Sequence, residues 1–286
     1  MVSLLEAVLL GILQGLTEFL PVSSTAHLTL AGKMLGLVNR GNPQAWTAFI
    51  AVMQLGTLAA VLVYFFRDLL AMAVSSAADL RGLSTGTTSW STVRPATRMA
   101  AAVLTGTVPV VLVGYFLHEQ IEGVFTKSTL VIATSLIVLA LLLWLAERAA
   151  RHERTLDKVT LRDAIAVGCA QALALIPGAS RSGTTLTAGL FMGLSREAAA
   201  RFSFLLSVPA VLLSGVYQVL KIRPDVFEYG VASLAVATVV SGVAGYAAIA
   251  WLLRYLMRNT TMVFVWYRIA LGILLLALLQ AGVMEF

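Results

Sequence analysis

Glu18, His27 and Arg181 lie inside long apolar stretches of the sequence. Ionisable groups are costly in hydrocarbon and mark function by default. Around the first two, residues 14–27 read QGLTEFLPVSSTAH. Gln14 precedes Glu18 by four residues and shares its helical face. One carboxylate and one amide can together hold a divalent cation or a water; the bland alternative is a carboxylate salt-bridged for assembly alone. Ser23, Ser24 and Thr25 place three hydroxyls beside the imidazole of His27, a set suited to phosphate chemistry. Hydroxyls and backbone N–H groups at a helix start bind phosphate oxygens. Histidine serves as nucleophile or as general acid and base near neutral pH.

A second segment, residues 177–185, reads PGASRSGTT. Its glycines allow close backbone approach, Ser180, Ser182 and Thr185 offer hydroxyls, Gly183 opens the backbone, and Arg181 supplies the planar fork that matches phosphate. Small-residue runs also serve as tight packing surfaces, but an arginine among them argues against packing alone. No Gly-Lys-Ser/Thr follows, which excludes a nucleotide-hydrolysing phosphate loop. Gln54 and Gln171 either line the cavity or hydrogen-bond between helices. Arg268 reads as an interfacial anchor, and Trp144, Trp251, Trp266 and Tyr267 as belt and packing residues.

These groups need a scaffold, and composition says which kind. Of 286 residues, 59% are hydrophobic and only 12% are charged, with a mean hydropathy of +0.90. That balance excludes a soluble domain, disorder and coiled coil. The single Cys169 excludes an internal disulfide. Residues 1–6 lack a basic n-region, so no removable signal peptide is expected. Cutting the chain at its charged residues leaves six stretches long enough to cross about 30 Å of hydrocarbon, predicting spans at 46–66, 99–118, 128–147, 200–221, 230–253 and 261–283. Shorter apolar runs come in two pairs, each turning at a proline (Pro21 and Pro177). Broken backbone at membrane depth survives only where protein or a wet cavity covers it, so 3–37 and 161–195 are predicted to be re-entrant hairpins.

The hairpins also look like copies. Gly11, Gln14, Leu16, Pro21 and Ser24 line up with Gly168, Gln171, Leu173, Pro177 and Ser180, with one residue of slippage. The expected fold is therefore an all-α polytopic membrane protein with an inverted-topology repeat: residues 1–147, a cytoplasmic linker at 148–160, and residues 161–286. Thirteen basic residues fall on one side (Arg67, Arg81, Arg94, Arg98, Arg148, Arg151, Arg154, Lys158, Arg162, Arg196, Arg201, Arg254 and Arg258). Five fall on the other (Lys33, Arg40, Lys127, Lys221 and Arg223). The thirteen should be cytoplasmic, placing both termini outside. Topology thus accounts for most of the net charge of +6 and leaves no need for nucleic acid.

The two segments together closely resemble the signature motifs of bacterial undecaprenyl-diphosphate phosphatases, the bacitracin-resistance protein family. The resemblance implies a phosphatase of the bacterial inner membrane that removes the terminal phosphate of undecaprenyl diphosphate, an isoprenyl diphosphate lipid, and so recycles the carrier for peptidoglycan synthesis. It implies that Glu18 with Gln14 holds a divalent metal, Mg2+ or Ca2+, or orients water, and that Ser24 and His27 do the covalent or acid–base work. Arg181 with Ser180, Ser182 and Thr185 would clamp the diphosphate in a site opening to the periplasmic side. Many members carry Glu where Gln14 stands, so this chain offers one carboxylate fewer. Spacing leaves the attacking group open between Ser24 and His27, with His27 slightly preferred. Membrane lipid is the surrounding partner, and a homodimer is compatible with the layout. The rival reading is an inverted-repeat transporter or flippase of a lipid phosphate or small anion. A second class of membrane lipid phosphatases needs a histidine after a Ser-Arg pair, and none follows Ser180 and Arg181.

Overall fold

The computed structural model describes residues 2–37, 43–117, 128–220, 227 and 229–282. The expected span ends at 118, 221 and 283, and the basic residues Arg40, Lys127, Lys221 and Arg223, lie outside the described residues. Among those described, the chain forms eleven α-helices and no strand.

The first hairpin is built by its caps. Helix α1 (Leu4–Phe19) starts at a capping box in which the Ser3 hydroxyl accepts from the Glu6 amide and the Glu6 carboxylate accepts from the Ser3 amide. It stops before Pro21, because the residue ahead of a proline is driven to extended backbone and Leu20 has ψ 140°. Helix α2 (Ser24–Met34) begins at Ser23, whose hydroxyl accepts from the Ala26 amide at 3.3 Å. Helices α3 (Pro43–Tyr64), α4 (Phe66–Ser84), α5 (Pro95–Phe116) and α6 (Thr129–Ala149) follow.

The second hairpin repeats these devices. Helix α7 (Leu161–Ala172) opens on a Thr160–Asp163 capping box and ends in a 3-10 turn at Leu173–Leu175. Helix α8 (Arg181–Phe191) starts at Ser180, whose hydroxyl accepts from the Gly183 amide at 3.2 Å. Thr160 follows Ser3, Ser180 follows Ser23 and Gly193 follows Gly36, each by 157 positions. The capping hydroxyls, not the prolines, keep this register. Ser180 is therefore the counterpart of Ser23 rather than of Ser24, and the position matching Ser24 is Arg181. Helices α9 (Arg196–Leu220), α10 (Val231–Leu256) and α11 (Met262–Gln280) complete the chain.

Six helices, α3, α5, α6, α9, α10 and α11, are long and apolar enough to cross a membrane. Two differ in extent from expectation. Helix α5 begins at Pro95, where a proline suits the first helical position. Helix α9 begins at Arg196 and carries its charges in its first turns, which cutting at charges hides. Helix α4 falls between two predicted spans, in a stretch where Arg67, Asp68, Asp79 and Arg81 break the apolar pattern. Its Asp79 is buried and accepts from the Thr97 hydroxyl (2.6 Å) and the Arg94 amide (2.9 Å), satisfying the N-terminus of α5. The same two hydrogen bonds hold the Asp79 carboxyl below its usual range.

The two halves interlock. Helix α1 packs along α10, and α7 along α5, while α6 pairs with α11. Small residues let the backbones touch: a Cβ at Gly15 would lie 2.6 Å from the Ser241 carbonyl, and one at Gly168 would run into the backbone of Gly106. Beneath the tips, Phe19 meets Phe204 edge-on at 5.5 Å and Phe65 is fully buried, so an apolar floor lies under the polar groups. The linker is fastened to α7 and the end of α8. Arg154 donates to both oxygens of Asp163 and to the Met192 carbonyl. Burial raises the Asp163 carboxyl, but hydrogen bonds from Arg154 and Thr160 prevail and leave it below its usual range.

Candidate active site

Both tips use the same backbone device. Ser23 and Ser180 hold φ of 75° and 68°, a left-handed conformation that serine rarely adopts. Each turns the chain so that a helix begins at the next residue, bringing Ser24 and Arg181 to helix N-termini. Strain of this kind persists only where surrounding structure over-determines it.

Glu18, in the last turn of α1, is the hub. One carboxylate oxygen pairs with the Arg181 guanidinium of the other hairpin. The second accepts from the Ser24 hydroxyl at 2.8 Å and from Gln14 Nε2 at 3.1 Å. The Ser182 hydroxyl adds a further link between the tips, donating to the Leu20 carbonyl at 3.0 Å. Residues far apart in sequence thus converge: Gln14, Glu18 and Ser24 from one tip, Arg181 and Ser182 from the other. Arg181 also lines a narrow crevice, together with Phe19, Thr57, Leu58, Val61, Ser207 and Val211.

His27, one turn after Ser23, is buried and occupied at both nitrogens. Nδ1 lies 2.7 Å from the Ser23 carbonyl and Nε2 lies 2.6 Å from the Tyr267 hydroxyl. Sequence reading took Tyr267 as a belt and packing residue; its ring, exposed on one side, stacks on His27 at 5.6 Å. Arg268 is likewise corrected from interfacial anchor to fully buried cation. Its Nη2 donates to the Ala179 (3.0 Å) and Gly178 (3.4 Å) carbonyls of the second tip. Only the adjacency of Tyr and Arg in an apolar span hinted at either role.

Other expected site residues are more remote. Thr185 is buried, donates to the Arg181 carbonyl at 2.7 Å and lies 2.5 Å from the Ser203 hydroxyl, bracing α8 rather than facing Glu18. Ser23 and Ser180 act as helix caps, and Gly183 lies against Arg268, where a Cβ would come within 2.5 Å of Nη1. Thr25 is exposed. Gln54 is half-buried on α3, and among the described residues its side chain makes no hydrogen bond to either tip.

Among the described residues no group of three or more His, Cys, Asp or Glu could cage a metal. The donors that fit one are few: Glu18 and the Oε1 of Gln14, which is buried and lacks a hydrogen-bond partner. Two protein oxygens suit a divalent ion whose remaining ligands are phosphate and water, not a resident protein cage.

Chemically, the arrangement offers a hydroxyl donating to a carboxylate and an arginine fork on the same carboxylate, each at the start of a helix, with an imidazole one turn further along α2. Those are the parts of an acid–base and anion-stabilising site. Comparison with known proteins agrees on the class. The family model described as bacitracin resistance protein BacA matches residues 7–274. The chain is similar to the undecaprenyl-diphosphatase of Syntrophobacter fumaroxidans, 49% identical over 272 residues, 94% of this chain and 95% of that protein. It is similar to that of Chloroherpeton thalassium, 49% identical over 291 residues and 99% of both chains. With that of Myxococcus xanthus it shares 51% identity over 284 residues, 98% of this chain and 90% of that one.

Proposed function

The chain belongs to the bacitracin resistance protein family, and from that premise we propose that it is an undecaprenyl-diphosphate phosphatase whose active site is the meeting point of the two hairpin tips. It removes the terminal phosphate of undecaprenyl diphosphate, giving undecaprenyl phosphate and inorganic phosphate. The observation that carries the site is the Glu18 hub, where one carboxylate engages a hydroxyl from its own tip and a guanidinium from the other.

In the resting arrangement Arg181 is occupied by Glu18. An incoming diphosphate is a more highly charged acceptor, so the fork transfers from carboxylate to terminal phosphate. Glu18 keeps Ser24. Its carboxylate takes the hydroxyl proton as Ser24 Oγ bonds to the terminal phosphorus. The bond from that phosphorus to the bridging oxygen breaks, and undecaprenyl phosphate leaves with that oxygen. Water then attacks the phosphoserine, inorganic phosphate departs, and Ser24 regains its proton from Glu18. His27, on the same turn as Ser24, accepts the proton of the attacking water once Nε2 is released from its resting hydrogen bond, and passes it to solvent. Hydrogen bonding thus favours Ser24 as the attacking group over His27, because the serine faces the carboxylate whereas His27 Nε2 faces Tyr267. Arg181, the buried charge of Arg268 and the starts of α2 and α8 stabilise the negative charge that develops.

A divalent cation, Mg2+ or Ca2+, would be held by Glu18 and Gln14 Oε1 together with the diphosphate, where it would neutralise phosphate charge. Gln14→Glu adds a second carboxylate beside the first and should tighten the ion requirement, lowering the Mg2+ concentration for half-maximal phosphate release in chelator-treated enzyme. An unchanged titration curve would place residue 14 away from the ion.

The protein is a multi-pass membrane protein, and we place it in the bacterial inner membrane with the hairpins re-entrant and the halves inverted. Thirteen basic residues against five then set both termini and the first tip on the periplasmic side. Cysteines placed at residues 2 and 285, in a background where the exposed Cys169 is replaced by serine, should react with an impermeant maleimide in intact spheroplasts. Reaction only after permeabilisation would reverse the topology. The test of the function itself is phosphate release by purified protein in detergent micelles supplied with the C55 diphosphate. Hydrolysis needs no second compartment, so release supports the phosphatase and its absence favours a transporter.

A further inference from the structure

Helix α11 reaches both tips with consecutive residues. Tyr267 meets His27 of the first tip, and Arg268 meets the Gly178 and Ala179 carbonyls of the second. Nothing in the reaction as written uses the tyrosine, yet it is the only side chain hydrogen-bonded to the imidazole among the described residues.

The hydrogen bonds determine the tautomer. A backbone carbonyl can only accept, so the 2.7 Å contact to the Ser23 carbonyl requires Nδ1 to carry the proton. In the neutral ring Nε2 is then an acceptor, and the Tyr267 hydroxyl at 2.6 Å donates to it. The two rings stack at 5.6 Å with 8° between their planes, which fixes the tilt of the imidazole. Tyr267 is exposed on α11 apart from its contact with the first tip, while Arg268, one residue on, is fully buried against the second. The guanidinium leaves α11 little freedom, so the tyrosine is a fixed post.

We propose that Tyr267 is a positioning residue for the phosphatase reaction: its hydroxyl donates to Nε2 and orients the imidazole that the Ser23 carbonyl keeps as the Nδ1–H tautomer, yielding its place to the attacking water, and Arg268 fixes α11 to the other tip so that the imidazole and Arg181 keep their register. The inference rests on the phosphatase reading for its kinetic consequence, but not for its structural one. A single-proton device of this kind is what a base needs, since Nε2 must be unprotonated when water is deprotonated and must return to that state each cycle.

The chain has only three histidines, His27, His118 and His152, so 15N-histidine labelling gives a readable spectrum of the intact protein in lipid nanodiscs. His118→Gln and His152→Gln assign the remaining signal. At a pH where the ring is neutral, long-range 1H–15N correlations should show His27 as one tautomer, protonated at Nδ1. Tyr267→Phe keeps the stacked ring and removes the donor, and should shift the Nε2 resonance as its hydrogen bond is lost while the proton stays on Nδ1. In phosphate-release kinetics the same variant should lose roughly three- to tenfold in kcat, the scale of one neutral hydrogen bond, with KM within twofold. Tyr267→Leu, which also removes the stack, should lose more. An unaltered His27 spectrum in Tyr267→Phe, or a raised KM with kcat intact, would overturn the positioning role. Should wild-type protein release no phosphate, the phosphatase reading fails while the spectra still decide the tautomer.

Discussion

Glu18→Gln will reduce kcat for phosphate release by at least about 10²-fold and toward 10⁴, the range over which a positioned general base contributes. The substitution is isosteric, so the fold is kept, but two effects coincide. Ser24 loses the carboxylate that takes its proton, and Arg181 loses the charge that balances it. An unpaired buried cation costs on the order of 3–5 kcal/mol when its partner is removed. Thermal unfolding should therefore shift down in the free enzyme and recover when inorganic phosphate or a diphosphate analogue occupies the tips. Activity within tenfold of wild type would mean that Glu18 serves assembly alone, the bland reading that its sequence setting left open.

Arg181→Lys is the second large effect. Lysine keeps the charge but not the planar fork, and its point charge cannot span two phosphate oxygens. The expected loss in kcat/KM is on the order of 10² or more, roughly 3 kcal/mol of transition-state stabilisation. A lysine that restores near-normal kinetics would show that only the charge matters, and bidentate recognition would have to be given up.

The reasons why some of this was legible in the sequence and some was not are physical. Spans α3, α5, α6, α9, α10 and α11 show as apolar runs because a lipid-facing helix needs no polar face. The tips show because Glu18, His27 and Arg181 are expensive where they lie. Helix α4 was hidden because its charges serve local purposes, such as Asp79 capping α5. The match between the hairpins slips by one residue at Pro21 and Ser24 because prolines are conspicuous, whereas the capping hydroxyls of Ser23 and Ser180 continue the spacing that already relates Gly11, Gln14 and Leu16 to Gly168, Gln171 and Leu173. That single residue matters, since it sets Ser24 opposite Arg181 instead of opposite Ser180. Tyr267 and Arg268 escaped because an aromatic or a basic residue near the end of a span has an ordinary explanation in the membrane interface. Only the packing of α11 against α6 turns them inward to the tips. Thr185 stands apart from the Glu18 contacts for the converse reason. A hydroxyl four residues into a helix can be satisfied by the carbonyl behind it, and that of Thr185 is.

Two tips forming one site is a statement about coupling, and a double-mutant cycle reads it directly. kcat/KM for the C55 diphosphate is measured in wild type, Glu18→Gln, Arg181→Lys and the double variant. Residues acting as a unit are non-additive, because once one is lost the other has little left to support. The double variant should fall within about tenfold of the more severe single variant. A loss equal to the product of the two single losses would mean that the hairpins act independently, and the shared site would be contradicted.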